Sequence, residues 1–214
     1  MSVERNSAVW AERVATLVDR WVRWGLRHWL LGVNLALFLY VLLPILAPTF
    51  MALGWDVAGR AIYLVYRPLC HQLPERSFFL FGQKATYTVQ ELHLLGLDPT
   101  ASSWQRRFFI GSEAAGYKMA FCERDLALYG GMLVAGLLYG LVRTRVRPLP
   151  WRAYLLAILP LALDGTTQLI GLRESTWGLR LITGLLFGVA TVWVLYPRMD
   201  KTVQEALGSP PLAT

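Results

Sequence analysis

Two cysteines and the residues beside them carry the clearest chemical signal in this chain. Cys70 is followed directly by His71 and Gln72, and Cys122 lies three residues before Asp125. Thiolate, imidazole and carboxylate groups are accepted ligands of zinc and iron, so Cys70, His71, Cys122 and Asp125 form a candidate metal site. Cys70 and His71 are adjacent in the sequence, which is unfavourable for a shared ion, because both side chains can reach it only if the backbone turns between them.

The same cysteines allow two other interpretations. They are 52 positions apart, and two cysteines outside the cytoplasm commonly form a disulfide. Such a bridge would stabilise the fold by about 4 kcal/mol in the loop-entropy model. The third interpretation is a pair of unpaired or redox-active thiols, and all three stay open from the sequence.

A second group of polar residues lies in strongly apolar sequence nearer the C-terminus. Asp164 is on the order of 12 Å inside one end of an apolar helical segment, and Gln168 follows on the same face. An ionisable side chain at that depth is costly and usually pairs inside the bundle, so we expect a functional role. Arg173 and Arg180 flank the turn that follows. Arg180 is expected to reach Asp164 or Gln168, to hold an anionic headgroup, or to snorkel to the interface.

The composition identifies the environment of these residues. Of 214 residues, 55% are hydrophobic and 16% are charged, which is too apolar for a soluble domain of this size. Segments at about 29–47, 126–142, 152–172 and 178–196 are long and apolar enough to span a membrane. The net charge of +7 comes mostly from arginines at the ends of these segments, so we expect membrane lipids and no nucleic acid as partners.

The distribution of Lys and Arg predicts the orientation. The arginine-rich segment 1–28, the link between the second and third spans, and the tail 197–214 share one side, which the positive-inside rule makes cytoplasmic. Both termini of this multi-pass cell-membrane protein then lie in the cytoplasm. The predicted domains are a cytoplasmic amphipathic segment 1–28, a transmembrane domain 29–196 with an extracytoplasmic insertion at about 48–125, and a cytoplasmic tail 197–214.

The insertion at 48–125 carries signals of local folding. The sequence "TVQE" at 88–91 is a capping-box pattern that predicts a short helix, with Gly96 at its end. Two β-prone runs around a Gly-Ser-Glu turn at 111–113 predict a hairpin. The fold expected is therefore all-α, a polytopic membrane protein with about four transmembrane helices and a small extracytoplasmic cap.

Several helical features are also predicted. Segment 8–27 has apolar residues at helical spacing beside charges, which fits a helix in the headgroup region or a packed or solvated helix. Pro44 and Pro48 should kink or end the first span, and 57–66 should form a short helix. Four glycines in small-xxx-small pairs are interpreted as helix-packing positions: Gly136, Gly140, Gly184 and Gly188.

Three motifs resemble a family of prokaryotic integral membrane proteins known only as a domain of unknown function. They are "CHQLPERSFFLFG" at 70–82, "CERDLALYGG" at 122–131 and "DGTTQLIGLRESTWGLRLITGLLFG" at 164–188. The family's usual middle motif is Cys-x-Arg-Cys, whereas Asp125 takes the place of the second cysteine here. This departure argues against an all-thiolate metal site and leaves a mixed one open. The last motif is also similar in layout to the VanZ-like membrane proteins.

The resemblance supports a topology and a choice of residues rather than a reaction. The leading hypothesis is lipid or envelope handling at an outer-leaflet site, in which Arg124 and Arg180 hold an anionic group. The candidate ligand-binding residues are Arg124, Asp164, Gln168, Arg173, Arg180 and Gln72. The alternatives are a non-enzymatic accessory subunit of a membrane complex, with other membrane proteins as partners, and an ion or proton carrier using Asp164. No nucleophile triad or phosphate loop indicates an enzyme class or a catalytic residue.

Overall fold

The structure is a computed structural model that describes residues 2–208. It is mostly helical, at 68% of the chain, which confirms the all-α class. The helices are α1 (Ser2–Arg27), α2 (Trp29–Ala52), α3 (Asp56–Tyr66), α4 (Val89–Leu94), α5 (Ser103–Arg106), α6 (Glu123–Val142), α7 (Trp151–Leu169) and α8 (Trp177–Leu207). The strands are β1 (Phe79–Leu80), β2 (Gly111–Ser112) and β3 (Gly116–Lys118), and a 3-10 turn spans Pro74–Arg76.

Three of the described helices, α2, α6 and α8, are long and apolar enough to cross a membrane. They agree with three of the four predicted spans. The remaining predicted span, at about 152–172, corresponds to α7. Its 19 residues extend about 28 Å, close to the thickness of the hydrocarbon core. Pro160 and the polar run from Asp164 to Gln168 lower its mean hydropathy, and its crossing of the membrane stays a prediction.

The α8 helix continues beyond the predicted end of its span at residue 196. It reaches Leu207, so most of the predicted tail 197–214 is helical, while residues 209–214 lie outside the described range. The extension carries Asp200, which is buried and accepts hydrogen bonds from Trp29 Nε1 at 3.0 Å and Arg143 Nε at 2.5 Å. Tyr139 donates to the same carboxylate at 2.5 Å. This ion pair joins α2, α6 and α8.

Pro44 and Pro48 were expected to kink or end the first span. They do not end it, because α2 runs on to Ala52. Each proline lacks an N–H, which leaves the carbonyl four residues earlier without its helical partner. The carbonyl of Tyr40, released by Pro44, accepts the Tyr66 hydroxyl at 2.9 Å. The carbonyl of Pro44, released by Pro48, accepts the Ala120 N–H at 3.1 Å. The freed carbonyls of α2 therefore bind the segment between α2 and α6.

That segment, residues 53–122, is the cap. The predicted capping box is confirmed, because Thr88 caps α4 and Glu91 reaches back to its N–H at 2.8 Å. The predicted hairpin is also confirmed as the antiparallel pair of β2 and β3, with β1 added on the other side of β3. Its turn lies at 113–115 rather than at the predicted 111–113, because Gly111 and Ser112 form β2. We call the end of the helix bundle that carries the cap the cap end.

The helix α1 presents its large apolar side chains to the surroundings. Trp10, Leu17, Trp21 and Trp24 are all more than half exposed. A helix packed within the protein would bury them, so this arrangement favours a position in the headgroup region.

Small residues bring α6 and α8 into close contact. A side chain on Gly184 would place its Cβ 2.7 Å from the Arg124 carbonyl oxygen, and a Cβ on Gly188 would overlap the Leu128 carbonyl. Gly136 has the same role against the side chain of Asn34, whereas Gly140 meets only Leu30 at an ordinary 3.7 Å. Three of the four predicted glycines are thus packing positions.

Gly188→Ala should destabilise the protein by about 1–3 kcal/mol, because the added methyl group forces α6 and α8 apart. Thermal unfolding of the detergent-purified protein measures this effect. Gly130→Ala in α6 is the matched control, since its Cβ would have no neighbour within 4 Å. Equal midpoints for the two variants would show that the close contact does not hold the bundle together.

Candidate functional site

Asp164 lies near the end of α7, at the cap end, and its side chain is only 2% exposed. Its oxygen Oδ1 accepts from Arg173 Nη2 at 2.6 Å. Its oxygen Oδ2 accepts from Ser175 Oγ at 3.0 Å and from Arg124 Nη2. Both oxygens of this buried carboxylate are therefore occupied by cationic or hydroxyl donors.

Arg124 connects the first turn of α6 to the end of α7. Besides Asp164, its Nη2 donates to Gln168 Oε1 at 3.1 Å, and both of these acceptors are buried. Gln168 follows Asp164 by one helical turn, so a single guanidinium can bind both. The expected shared face of Asp164 and Gln168 is what allows this contact.

Arg180 makes a different contact from those expected. It does not bind Asp164 or Gln168, and it does not snorkel, because it is buried and pairs with Glu123 Oε2 at 2.7 Å. A buried arginine needs a counter-ion close by, and Glu123 in the first turn of α6 supplies it. Arg180 Nη2 also donates to the Ser175 carbonyl at 2.5 Å, so Ser175 links the two ion pairs.

Sequence reasoning missed three members of this cluster: Glu123, Ser175 and Arg76. Glu123 lies directly before Arg124. It could have been found from the sequence as an acidic residue in the first turn of a spanning helix. Arg76 comes from the 3-10 turn of the cap and pairs with Glu174 at 3.3 Å. Glu174 is 81% exposed, so this contact contributes little to stability.

A cavity of about 190 Å³ lies among these residues at the cap end. It is lined by His71, Arg76, Cys122, Arg124, Asp125, Gly165, Gln168, Leu169 and Arg180. Four lining residues each keep a buried N–H donor without a partner, namely the Nε atoms of Arg76, Arg124 and Arg180 and the Nε2 of Gln168. Buried donors are normally satisfied, so this group calls for an acceptor.

His71 contributes a neutral imidazole to the cavity. Its Nδ1 accepts the N–H of Leu73 at 3.0 Å, which leaves the proton of the neutral ring on Nε2. Burial and the positive charges of Arg76, Arg180 and Arg124 lower the pKa of His71 to about 4.

The two cysteines are neighbours at the cap end and both are free thiols. Their sulfurs and a carboxylate oxygen of Asp125 all lie within 4.8 Å of one another. His71 is outside this group, so the predicted four-ligand metal set is reduced to three. A hydrogen bond to Cys70 and burial raise the pKa of the Cys122 thiol.

Gln72 lies away from the cavity, in the interior of the cap. It is fully buried, takes the left-handed φ of 49°, and donates from Nε2 to the Tyr63 carbonyl at 3.0 Å. Its own carbonyl accepts from Lys118 Nζ at 2.5 Å. The structure does not bring Gln72 beside Arg124, because its side-chain amide holds the cap together, and its predicted role in ligand binding stays a prediction.

Comparison with known proteins identifies the family. Residues 102–194 match the family model described as "Predicted membrane protein (DUF2085)". The chain is also 33% identical over 179 residues to "Uncharacterized protein MJ1492" of Methanocaldococcus jannaschii, a match that covers 80% of this chain and 93% of that protein. This chain belongs to the DUF2085 family. No solved structure matches it.

Membership in the DUF2085 family confirms the resemblance to an uncharacterised membrane protein family. The layout similarity to VanZ-like proteins is not shown by these comparisons. The residues matched by the DUF2085 model include Cys122, Arg124, Asp164, Gln168 and Arg180. The match begins at residue 102 and therefore leaves out the cap residues around Cys70. The matched part thus carries most of the cavity, and the cap supplies the remainder.

Asp164→Asn should lower the free energy of unfolding by about 3 kcal/mol, because it leaves Arg124 and Arg173 without their shared counter-ion. We place the loss at the lower end of the range for buried pairs, since Arg173 is 42% exposed. Thermal unfolding in detergent measures it. Asp56→Asn, at an exposed position in α3, is the control, and equal losses in both variants would contradict the central role of Asp164.

Lys118 should make the stability of the cap depend on pH. Burial lowers the pKa of Lys118 from 10.5 to about 7, so between these values the unfolded chain binds more protons than the folded one. Stability therefore rises with pH from about 7 to about 10, and falls as pH drops through the folded-state pKa.

Lys118→Met should reduce this pH dependence, measured as thermal midpoints between about pH 7 and pH 9.5. Lys84→Met, at an exposed position of the cap, should retain the slope of the unmodified protein. An unchanged slope in Lys118→Met would show that the buried amine does not titrate in this window.

Proposed function

We propose that this membrane protein binds a phosphate-bearing lipid headgroup in the cavity at the cap end of α6, α7 and α8. The observation that supports the proposal is the set of four unpartnered buried donors on Arg76, Arg124, Gln168 and Arg180. Phosphate oxygens are strong acceptors that match the guanidinium group in geometry and charge.

The cavity lining presents basic donors to an anion, although the carboxylates of Asp164 and Glu123 behind the lining offset the charges of Arg124 and Arg180. Three arginines line it against one acid, Asp125, and the carboxylate of Asp125 lies beside the two sulfurs. Arg124 and Arg180 are each held by a buried carboxylate, so both guanidinium groups are fixed in place before any ligand arrives. A fixed donor loses little entropy on binding, which favours affinity.

The position of the cavity favours a lipid as the source of the phosphate. Leu169 lines the cavity and is itself 85% exposed, and Ile170 and Leu172 beside it are exposed as well. In a membrane these side chains face the lipid, so an acyl chain could follow them while its headgroup enters among the arginines. By the predicted topology, the cap end faces the outside and the lipid comes from the outer leaflet.

No specific contact favours the other function classes. A proton carrier needs a carboxylate that can release and accept a proton, but both oxygens of Asp164 are engaged by Arg124, Arg173 and Ser175. For an accessory subunit, no surface within the described residues indicates a particular partner protein. Headgroup binding is the function that the geometry supports best.

Arg76→Gln should weaken the retention of an anionic phospholipid by about tenfold or more, because it removes one charged donor from the cavity. Native mass spectrometry with added phosphatidylglycerol or phosphatidic acid measures the retention. The substitution should leave the fold intact, since within residues 2–208 the only acid that pairs with Arg76 is the exposed Glu174.

Arg60→Gln is the matched control, because Arg60 is an exposed arginine of α3 outside the cavity. Phosphatidylcholine, a lipid with no net charge, tests whether anionic lipids are preferred. Equal retention in the two variants would overturn the proposal. Inorganic phosphate as an effective competitor would instead identify a free anion as the ligand and contradict the assignment to a lipid.

A further inference from the structure

Asp125 has an unusual environment for a carboxylate near the end of a spanning helix. Within residues 2–208, no hydrogen bond or ion pair is made by its side-chain oxygens, although Arg124 is its neighbour in sequence. Arg124 points to Asp164 instead. One oxygen of Asp125 lies within 4.8 Å of the sulfurs of Cys70 and Cys122. Asp125 is half-buried beside two buried thiols, and within the described residues no cation pairs with it.

Both sulfurs accept hydrogen bonds from the backbone. Cys70 Sγ accepts the backbone N–H of Cys122 at 3.2 Å, and Cys122 Sγ accepts that of Asp125 at 3.4 Å. Cys122 is also the N-cap of α6, where the helix dipole favours a negative charge. Each sulfur thus accepts a backbone N–H, while the contact with Cys70, burial and the neighbouring Asp125 raise the pKa of Cys122 and keep it a neutral thiol as long as no cation is bound.

We infer that Cys70, Cys122 and Asp125 bind one soft divalent cation, zinc or ferrous iron. Two thiolates and one carboxylate make a mixed ligand set that both ions accept, and three protein ligands leave a fourth position open. Cys122 and Asp125 both line the 190 Å³ cavity, so the open position faces it. The ion supplies the positive charge that Asp125 lacks.

The charge balance is consistent with the neighbouring residues. Binding releases two thiol protons, and the ion with its three anionic ligands carries a net charge of −1. Arg76, Arg124 and Arg180 line the same cavity and offset that charge. A Cys70–Cys122 disulfide, by contrast, would use the thiols and leave Asp125 without a counter-ion. This inference does not depend on headgroup binding, because it involves different side chains.

Metal analysis of the detergent-purified protein tests the site. The protein is stripped with a chelator under a phosphine reductant, supplied with Zn²⁺ alone, and examined by native and elemental mass spectrometry. We expect about one zinc per chain. Replacing Zn²⁺ by Co²⁺ should give the near-ultraviolet absorption of thiolate-to-cobalt charge transfer.

Asp125→Asn should weaken zinc binding by at least about tenfold, since it removes a ligand while preserving the size of the side chain. Asp56→Asn is the control and should bind as the unmodified protein does. Cys70→Ser and Cys122→Ser should each abolish the cobalt signal, and Asp125→Asn keeps the test valid if these variants fail to fold.

Two results would overturn the inference. One is a metal-free protein that, purified without reductant, is lighter by the two hydrogens of a disulfide. The other is zinc binding of equal strength in Asp125→Asn and Asp56→Asn. Loss of zinc in Asp125→Asn with unchanged retention of phosphatidylglycerol would support the metal site and show that it is separate from headgroup binding.

Discussion

The carboxylate of Asp164 is the interaction on which the cap end of the bundle depends. A charge in apolar surroundings is costly unless it is fully paired, and Asp164 is paired by three side chains from two segments: Arg124 at the start of α6, and Arg173 and Ser175 in the turn between α7 and α8. Because Ser175 also accepts from Arg180, the same carboxylate positions the second ion pair. Loss of one acid would thus disturb the ends of three helices.

Backbone carbonyls that prolines leave without a helical partner hold the remaining segments to the helix bundle. The freed carbonyls of α2 accept donors from Tyr66 and Ala120, both in the cap. The same device recurs in α8, where Pro197 frees the Trp193 carbonyl, which accepts the Leu149 N–H at 3.3 Å. In apolar surroundings an unpaired carbonyl is expensive, so each of these three prolines, Pro44, Pro48 and Pro197, specifies a docking point for another segment.

The ion pairs around Asp164 and the carbonyls freed by proline together bring chemically different groups to the cavity at the cap end. The cap and the helices α6, α7 and α8 supply arginines and an amide with unused donors, while the start of α6 supplies Cys122 and Asp125, with the sulfur of Cys70 beside them. Donors favour an anion and the sulfurs favour a soft cation, so the two proposed ligands would be neighbours. The neutral His71 adds no charge to either group.

The sequence by itself determined the membrane environment, the apolar helices, the capping box of α4 and the hairpin of the cap, because these follow from local composition and short-range periodicity. It also pointed to Asp164, Arg124 and Arg180, since charged residues in apolar sequence must have partners. The choice of partners was decided only by the tertiary structure. Glu123 rather than Asp164 receives Arg180, Gln72 turns into the cap, and His71 lies apart from the sulfurs. The physical reason is that ion pairs and ligand sets depend on the lateral packing of helices, which a pattern along one chain does not contain.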